Sequence, residues 1–223
     1  MQTGYFGKLP FRGDFIQKNV SPSFLKLWEP WLQRVTAYSQ NELHDQWLRH
    51  YLISPMWRYM VTLPNDEVYA GIVFPSVDSA GRYFPFTIVM PLADKHTAIQ
   101  LMLRNQQWYN QSERLALRAL DESISFEQFD QVIERLDSVF KPPLKYPSPG
   151  FHLPLNASQS LDGALGKLLN YLYIFNDRQI SLWWYEDNNL NEGHFFSCLG
   201  LPDERVYTAM LTRQWDSSGM QLL

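Results

Sequence analysis

Apolar residues recur at helical spacing after a helix-start signal near residue 21. Ser21 precedes Pro22, an arrangement typical of a helix N-cap followed by the first helical residue. The apolar positions that follow would form one buried stripe: Phe24, Leu25, Trp28, Trp31, Leu32 and Val35. Pro30 lies inside this stripe, so the pattern predicts a helix that is kinked or split there. Residues 41–51 predict a second helix.

Short apolar runs bounded by turn residues predict β-strands in the first half of the chain. They cover residues 4–9, 56–63, 68–74 and 84–90. Pro64, Asn65 and Asp66 separate the two middle runs and favour a tight turn. Residues 76–81 have the length and composition of a hairpin loop. Strands joined in this way are expected to be antiparallel.

The second half of the chain contains further helical patterns. A mostly helical stretch covers 94–121, and Ser125 with Gln128 forms a capping box ahead of another helix. Five prolines within 141–159 predict a loop, and residues 160–175 predict a helix. Asp203 and Glu204 should open a short final helix.

A hairpin is predicted from two apolar runs that flank a polar turn. The runs cover 180–185 and 195–199, and the turn covers 186–193. Because successive side chains alternate along a strand, Trp183 and Trp184 should point to opposite faces of a sheet. One ring should be in the core and the other partly exposed or covered by a helix. An exposed ring would be a candidate binding anchor.

Helices together with hairpin-linked strands predict an α+β fold, with a mainly antiparallel central sheet and packed helices. The chain has 223 residues, which is long enough to bury a substantial core. We therefore expect a single domain over residues 1–223. A division into two lobes near 141–159 is left open.

The charge and the cysteine content indicate which kinds of partner and which cellular compartment to expect. The net charge is −4 and no basic cluster occurs, so nucleic-acid binding is not expected. The single cysteine, Cys198, cannot form an internal disulfide, which fits a reducing compartment. The first residues lack the apolar core of a signal peptide, and the uncharged apolar runs are about half as long as a membrane helix. We expect a cytoplasmic protein without membrane insertion.

The motifs that could indicate catalysis or metal binding are incomplete. Leu9 follows Gly7 and Lys8 where a phosphate-binding loop requires Ser or Thr. Ser23 and Lys26 match the S-x-x-K pattern of penicillin-recognising enzymes, but the companion motifs are absent. The five histidines lack metal-binding spacing. We expect no catalytic, cofactor or metal site, and a hydrolase built from distant residues remains the alternative.

Two segments, 4–15 and 74–85, combine glycine, proline, aromatic and charged residues. Their glycines and prolines favour sharp turns, and four charged side chains are expected at the turn tips: Arg12, Asp14, Asp78 and Arg82. Because these charges are complementary, we predict that the two segments lie near each other. They would be either structural loops held by ion pairs or a rigid surface presented to a partner.

These segments resemble signatures of a known family. The first reads GYFGKLPFRGDF and is similar to the opening signature of the TagF family, also called ImpM, whose members are associated with the bacterial type VI secretion system. The sequences SPMWR at 54–58, PSVD at 75–78 and GRYFP at 81–85 resemble further family elements. Shorter matches at 181–184 and 200–202 follow in the same order, so the resemblance covers nearly the whole chain.

The resemblance implies a post-translational regulator, typically a repressor of secretion assembly, without enzyme activity or cofactor. Its implied partner is the forkhead-associated scaffold protein, Fha. A structural or accessory subunit of the secretion apparatus remains an alternative. The matched elements supply the candidate partner-binding residues, among which Asp78 and Arg82 are expected to form part of the contact: Lys8, Arg12, Asp14, Trp57, Arg58, Asp78 and Arg82. The sequence leaves the oligomeric state open.

Overall fold

The computed structural model describes residues 2–64, 66–93, 102–141, 179–187 and 192–220. The strands in these ranges are β1 Gly4–Gly7, β2 Ile16–Lys18, β3 Trp57–Thr62, β4 Val68–Phe74, β5 Phe86–Leu92, β6 Ile180–Asp187 and β7 Glu192–Leu199. The helices are α1 Pro22–Leu43, α2 Trp47–Ile53, α3 Gln106–Leu120, α4 Phe126–Leu136 and α5 Glu204–Thr212. A short 3-10 helix, His44–Gln46, lies between α1 and α2.

The strands form one sheet in the order β2-β1-β5-β4-β3-β6-β7, and every neighbouring pair is antiparallel. This arrangement confirms the α+β prediction. The predicted strands at 4–9, 56–63, 68–74 and 84–90 correspond to β1, β3, β4 and β5, whereas β2 was not predicted. Residues 142–159 lie outside the described ranges, so the division into lobes and the single domain over 1–223 stay predictions.

Helices cover both faces of the sheet, so the core has two halves. One half packs β-strand side chains against α1, α2 and α5 and includes Trp28, Tyr59 and Trp183. The other packs the opposite side chains against α3 and α4 and includes Trp108 and Phe129. Burial on both faces explains why the strands read as nearly continuous apolar runs instead of alternating ones.

The first helix begins as predicted but is longer than expected. The hydroxyl of Ser21 accepts a hydrogen bond of 3.1 Å from the backbone N–H of Phe24. The helix continues through Pro30 to Leu43, so of the two predicted outcomes, a kink or a split, the split does not occur. Pro30 and Lys26, four residues earlier, are both exposed, so water can satisfy the carbonyl that loses its helical donor.

The helices on the other face follow the predicted start signals where they are described. Helix α3 matches the later part of the predicted stretch 94–121, of which residues 94–101 lie outside the described ranges. Ser125 and Gln128 form the reciprocal capping box at the start of α4. The predicted helix at 160–175 also lies outside those ranges.

Strands β6 and β7 pair as the predicted hairpin, and Trp183 and Trp184 point to opposite faces. Trp183 packs under α1, and the Trp184 ring lies edge-on to Tyr109 of α3, with 5.1 Å between ring centroids. Both rings are buried. The alternation was confirmed, and neither ring is available as a binding anchor in this structure.

The end of the chain also follows its start signal. The side chain of Asp203 accepts a hydrogen bond from the N–H of Val206 and caps α5. Among the described helices, none combines the length and apolar character needed to span a membrane.

An aromatic cluster at the centre of the sheet depends on a glycine. The Tyr59 ring packs 4.7 Å from that of Trp28 and 5.3 Å from that of Trp183, measured between centroids. It lies across Gly71 of the neighbouring strand, where an added Cβ would be 2.4 Å from the Tyr59 hydroxyl and 2.5 Å from the Ile88 carbonyl oxygen. Glycine at this position therefore makes room for the ring.

We expect Gly71→Ala to lower the free energy of unfolding by about 1–3 kcal/mol, because neither the buried ring nor the backbone can move away freely. Urea unfolding followed by tryptophan fluorescence measures this loss. Gly13→Ala is the matched control, since its added Cβ meets the nearest atom, the Ser79 hydroxyl, at an ordinary 3.5 Å. Equal stability of the two variants would contradict this account of the cluster.

Candidate interaction site at the junction of two loops

The loop between β4 and β5 is folded around the carboxylate of Asp78. Its Oδ1 atom accepts hydrogen bonds from the backbone N–H groups of Ala80 and Arg82, both at 2.9 Å. The backbone N–H of Asp78 donates to the Arg82 carbonyl, and the N–H of Gly81 donates to the Asp78 carbonyl. Gly81 has a φ of 78°, which favours glycine at this turn. The carboxylate therefore replaces part of the backbone hydrogen bonding in a tight loop.

The second oxygen of Asp78 connects this loop to the segment after β1. Its Oδ2 accepts from Lys8 Nζ at 2.7 Å and from Arg82 Nε at 2.8 Å. Lys8 is 7% exposed and Asp78 is 3% exposed, so this ion pair lies inside the protein and not, as the partner-binding prediction for both residues requires, at its surface. The Lys8 ammonium also lies 5.1 Å from the centroid of the Phe15 ring.

The surroundings of Asp78 keep its carboxylate charged. Burial alone would raise the pKa of Asp78, but the hydrogen bonds from Lys8, Arg82 and Ala80 outweigh burial and hold this pKa well below its usual range. The negative charge is therefore retained throughout the neutral range, and the buried Lys8 ammonium keeps its partner.

The two segments are adjacent, as predicted. The backbone N–H of Ser79 donates to the Arg12 carbonyl at 3.2 Å, and Arg82 Nη2 donates to the Gly13 carbonyl. Gly7, with a φ of 133°, allows β1 to approach β5 closely: an added Cβ would lie 2.5 Å from the Pro85 carbonyl oxygen. The loop tips thus share one rigid junction.

The predicted charges are arranged differently from the simple pairing of Arg12 and Arg82 with Asp14 and Asp78. Arg82 does pair with Asp78, but Lys8 provides the buried cation. The Arg12 guanidinium lies 4.9 Å from the centroid of Phe126 at the start of α4. Asp14 is exposed, and no ion pair joins it to another residue of the described ranges.

Three predicted residues present charge on the outside of this junction: Arg12, Asp14 and Arg82. Phe15 adds an aromatic surface that the prediction missed, with 43% of its area exposed. Its ring stacks on Phe6 and packs edge-on against Phe84. An aromatic residue that closes a Gly- and Pro-rich segment was the available signal. We call these four residues the loop-junction surface.

Trp57 and Arg58 lie inside the protein and do not contribute to this surface. Trp57 Nε1 donates to the Met210 carbonyl at 3.3 Å. Arg58 makes a two-point contact with Glu113 of α3, at 2.7 and 2.8 Å, and also donates to Gln106 and Asn110. Burial would lower the pKa of Arg58, but its contact with Glu113 raises it. Arg58 therefore attaches α3 to the sheet as a charged group.

Within the described residues, no group of three or more His, Cys, Asp or Glu side chains could hold a metal ion.

Ser23, the candidate nucleophile, donates to Glu67 at 2.7 Å at the start of α1. Ser21 accepts from the backbone there and contacts the Tyr69 hydroxyl. Lys26 is exposed on α1. Ser23 therefore belongs to a hydrogen-bonded helix start.

The Lys8–Asp78 pair should make the free energy of unfolding depend on pH in the acidic range. Because the folded-state pKa of Asp78 lies below its ordinary value of 3.8, its stabilising contribution is complete above that value and is lost as the pH falls further. We expect Asp78→Asn to be less stable than the unchanged protein at pH 7, with the difference narrowing below pH 4. Urea unfolding at several pH values measures it.

The variants Lys8→Met, Asp78→Asn and their combination should show strong coupling. Either single change leaves a buried group without its partner, so the double variant should lose less stability than the sum of the two. Glu204→Gln, which removes the exposed pair with Arg34, is the control. Additive effects at Lys8 and Asp78 would show that their contact is not what holds the loops together.

Comparison with known proteins agrees with the resemblance seen in the motifs. A family model described as the TagF N-terminal domain, type VI secretion system-associated, matches residues 4–136. The crystal structure of PA0076 from Pseudomonas aeruginosa PAO1 is similar over 100% of this chain and 98% of that chain, with a TM-score of 0.79 and 28% sequence identity. No curated protein matches. Since the family model spans more than half of the chain, this protein belongs to the TagF family of type VI secretion system-associated proteins.

Proposed function

We propose that this protein is a non-enzymatic, post-translational repressor of type VI secretion that acts in the cytoplasm. It would bind the forkhead-associated scaffold protein and occupy a surface that the scaffold needs for assembly. The proposed contact is the loop-junction surface. The observation that carries this proposal is the buried Lys8–Asp78 pair beneath exposed Arg12, Asp14 and Arg82.

Rigidity supports a binding role for this surface. The loops on which Arg12 and Arg82 lie are connected by backbone and side-chain hydrogen bonds before any partner arrives. A surface that is already ordered loses little conformational entropy on association. Binding can then be strong enough for a repressor that works by occupancy alone.

The chemistry of the exposed side chains also suits a protein partner. Arginine offers several donors in a plane, which matches carboxylate and carbonyl acceptors. The Arg82 side chain is 58% exposed although Nε donates to Asp78 and Nη2 to the Gly13 carbonyl, so part of its guanidinium stays accessible to a partner. Arg12 lies on the Phe126 ring, which limits its motion while leaving it exposed. Phe15 supplies apolar area beside these charges, as binding sites often do.

The proposal predicts that Arg12→Ala and Arg82→Ala each weaken binding to the purified scaffold protein. Truncation of a central arginine should cost about 2 kcal/mol or more, roughly thirtyfold in affinity. Calorimetric titration measures the affinity, and secretion assayed in cells carrying each variant should rise as repression is lost. The melting temperature should change little for Arg12→Ala, because Arg12 forms no ion pair within the described ranges. It should fall for Arg82→Ala, because that change removes one donor to the buried Asp78 carboxylate.

Arg49→Ala is the matched control, since Arg49 is an exposed arginine on α2 outside the loop-junction surface. It should leave affinity and secretion unchanged. Unaltered affinity of both Arg12→Ala and Arg82→Ala, with intact repression, would reject this surface. Stable incorporation of the protein into the assembled apparatus would instead favour the structural-subunit alternative.

A further inference from the structure

The two edges of the sheet differ in how well they are protected from pairing with a further strand. Strand β2 at one edge has only three residues, and its Lys18 donates to Asp130 and Glu134 of α4. Strand β7 at the other edge has eight residues, no proline, and Glu192 as its only acidic or basic residue apart from His194. A long edge strand with few charges and no proline is a template for pairing with another strand. In the described ranges, β7 pairs with β6 alone.

The register of the β6–β7 hairpin shows which backbone groups of β7 face outward. Gly200 N–H donates to the Gln179 carbonyl at 2.6 Å, in line with the pairing of Leu199 with Ile180. Hydrogen-bonded and non-hydrogen-bonded pairs alternate along an antiparallel ladder. Phe195, Ser197 and Leu199 therefore direct their N–H and C=O groups away from β6, toward the open edge.

The same three residues carry an exposed apolar surface. Phe195 and Leu199 are each 63% exposed, and they pair with Trp184 and Ile180 on the face of the sheet that α3 and α4 cover farther in. Ser197 lies midway between them on that face. One strip of β7 thus combines two exposed apolar side chains with backbone groups that pair with no other described strand.

We propose that β7 is a homodimer interface, in which it pairs antiparallel with β7 of a second copy about a two-fold axis at Ser197. Phe195 then lies opposite the partner subunit's Leu199, and Leu199 opposite the partner subunit's Phe195. Phe195, Ser197 and Leu199 of each copy join hydrogen-bonded pairs, which gives about six backbone hydrogen bonds. The sheets of the two copies become one continuous sheet.

The symmetric spacing favours a second copy over a strand from another protein. A foreign strand could satisfy the same backbone groups by adding to the edge. Phe195 and Leu199 lie at equal distances on either side of Ser197, however, so a two-fold axis there pairs each apolar side chain with an apolar side chain. Self-pairing therefore brings both exposed apolar side chains of each copy against apolar side chains of the other. The proposed dimer does not depend on the proposed contact with the scaffold.

The first test is the molar mass of the full chain in solution, measured by light scattering over a range of concentrations. The unchanged protein should approach twice 26.3 kDa. Ser197→Pro should return it to the monomer mass, because proline removes the N–H at the axis but breaks no bond to β6. Ser197→Ala, which keeps that N–H, should remain dimeric. A monomer at all concentrations, or a dimer unaffected by Ser197→Pro, overturns the proposal.

A second variant distinguishes loss of the interface from misfolding caused by proline. Leu199→Lys places a charge on the exposed edge and should weaken the dimer about tenfold or more, with unchanged melting of the monomer. Leu117→Lys is the matched control, since Leu117 on α3 is 56% exposed and lies outside β7. Equal loss of the dimer in both variants would contradict an interface at β7. The proposal would also be contradicted if the protein stayed a monomer and its β7 edge became protected only after another protein was added.

Cross-linking tests the register. In a Cys198→Ser background, Ser197→Cys should form a disulfide-linked dimer on oxidation, because paired Cα atoms on the axis lie about 5.5 Å apart. Phe195→Cys should not, since its copy would lie beyond the roughly 7 Å limit for a disulfide. The opposite pattern overturns the proposed axis.

Discussion

The buried carboxylate of Asp78 is the constraint on which the loop junction depends. It accepts four hydrogen bonds: two from backbone N–H groups in its own loop, one from Arg82 and one from Lys8, 70 residues away in the chain. A buried charge with fewer donors would be costly, so the loops keep this arrangement together or lose it together. The exposed charges of Arg12 and Arg82 acquire fixed positions from a contact that is itself hidden.

The rest of the molecule supports this junction from behind. The Tyr51 hydroxyl donates to the Ser76 carbonyl at 3.0 Å and accepts from the Ser76 N–H at 2.9 Å, which joins α2 to the start of the loop. The Tyr51 and Trp47 rings of α2 pack edge-on against Tyr83 at its other end. Aromatic residues therefore attach α2 to both ends of the loop.

Local patterns predicted the elements but not the partners of charged residues. Ser21, Ser125 and Asp203 marked helix starts because capping depends on neighbouring residues only. The burial of Arg58, a candidate partner-binding residue, could not be foreseen, because its partner Glu113 is 55 residues away on another element. Such a pairing depends on how α3 crosses the sheet, which no sequence spacing specifies.

The candidate site shows the same division between local and distant information. Its turns were predictable, since glycine at position 81 permits the positive φ of a tight turn and Pro85 restricts the backbone. The role of Lys8 was not, because a lysine beside a glycine gives no sign that its ammonium will be buried against Asp78. Pro30 shows the limit of local signals in the other direction: proline disfavours helix interiors locally, but a helix with a deeply buried apolar face can continue through it.

Hydrogen exchange with mass spectrometry tests most directly the central proposal, namely that the ordered loop junction binds a forkhead-associated scaffold protein. The amides of residues 11–15 and 79–82 would be followed with and without the purified forkhead-associated protein. The account predicts slower exchange in both segments together when the partner is present, because one rigid surface is covered. Unchanged exchange there, with slowing confined to another face of the molecule, would contradict it.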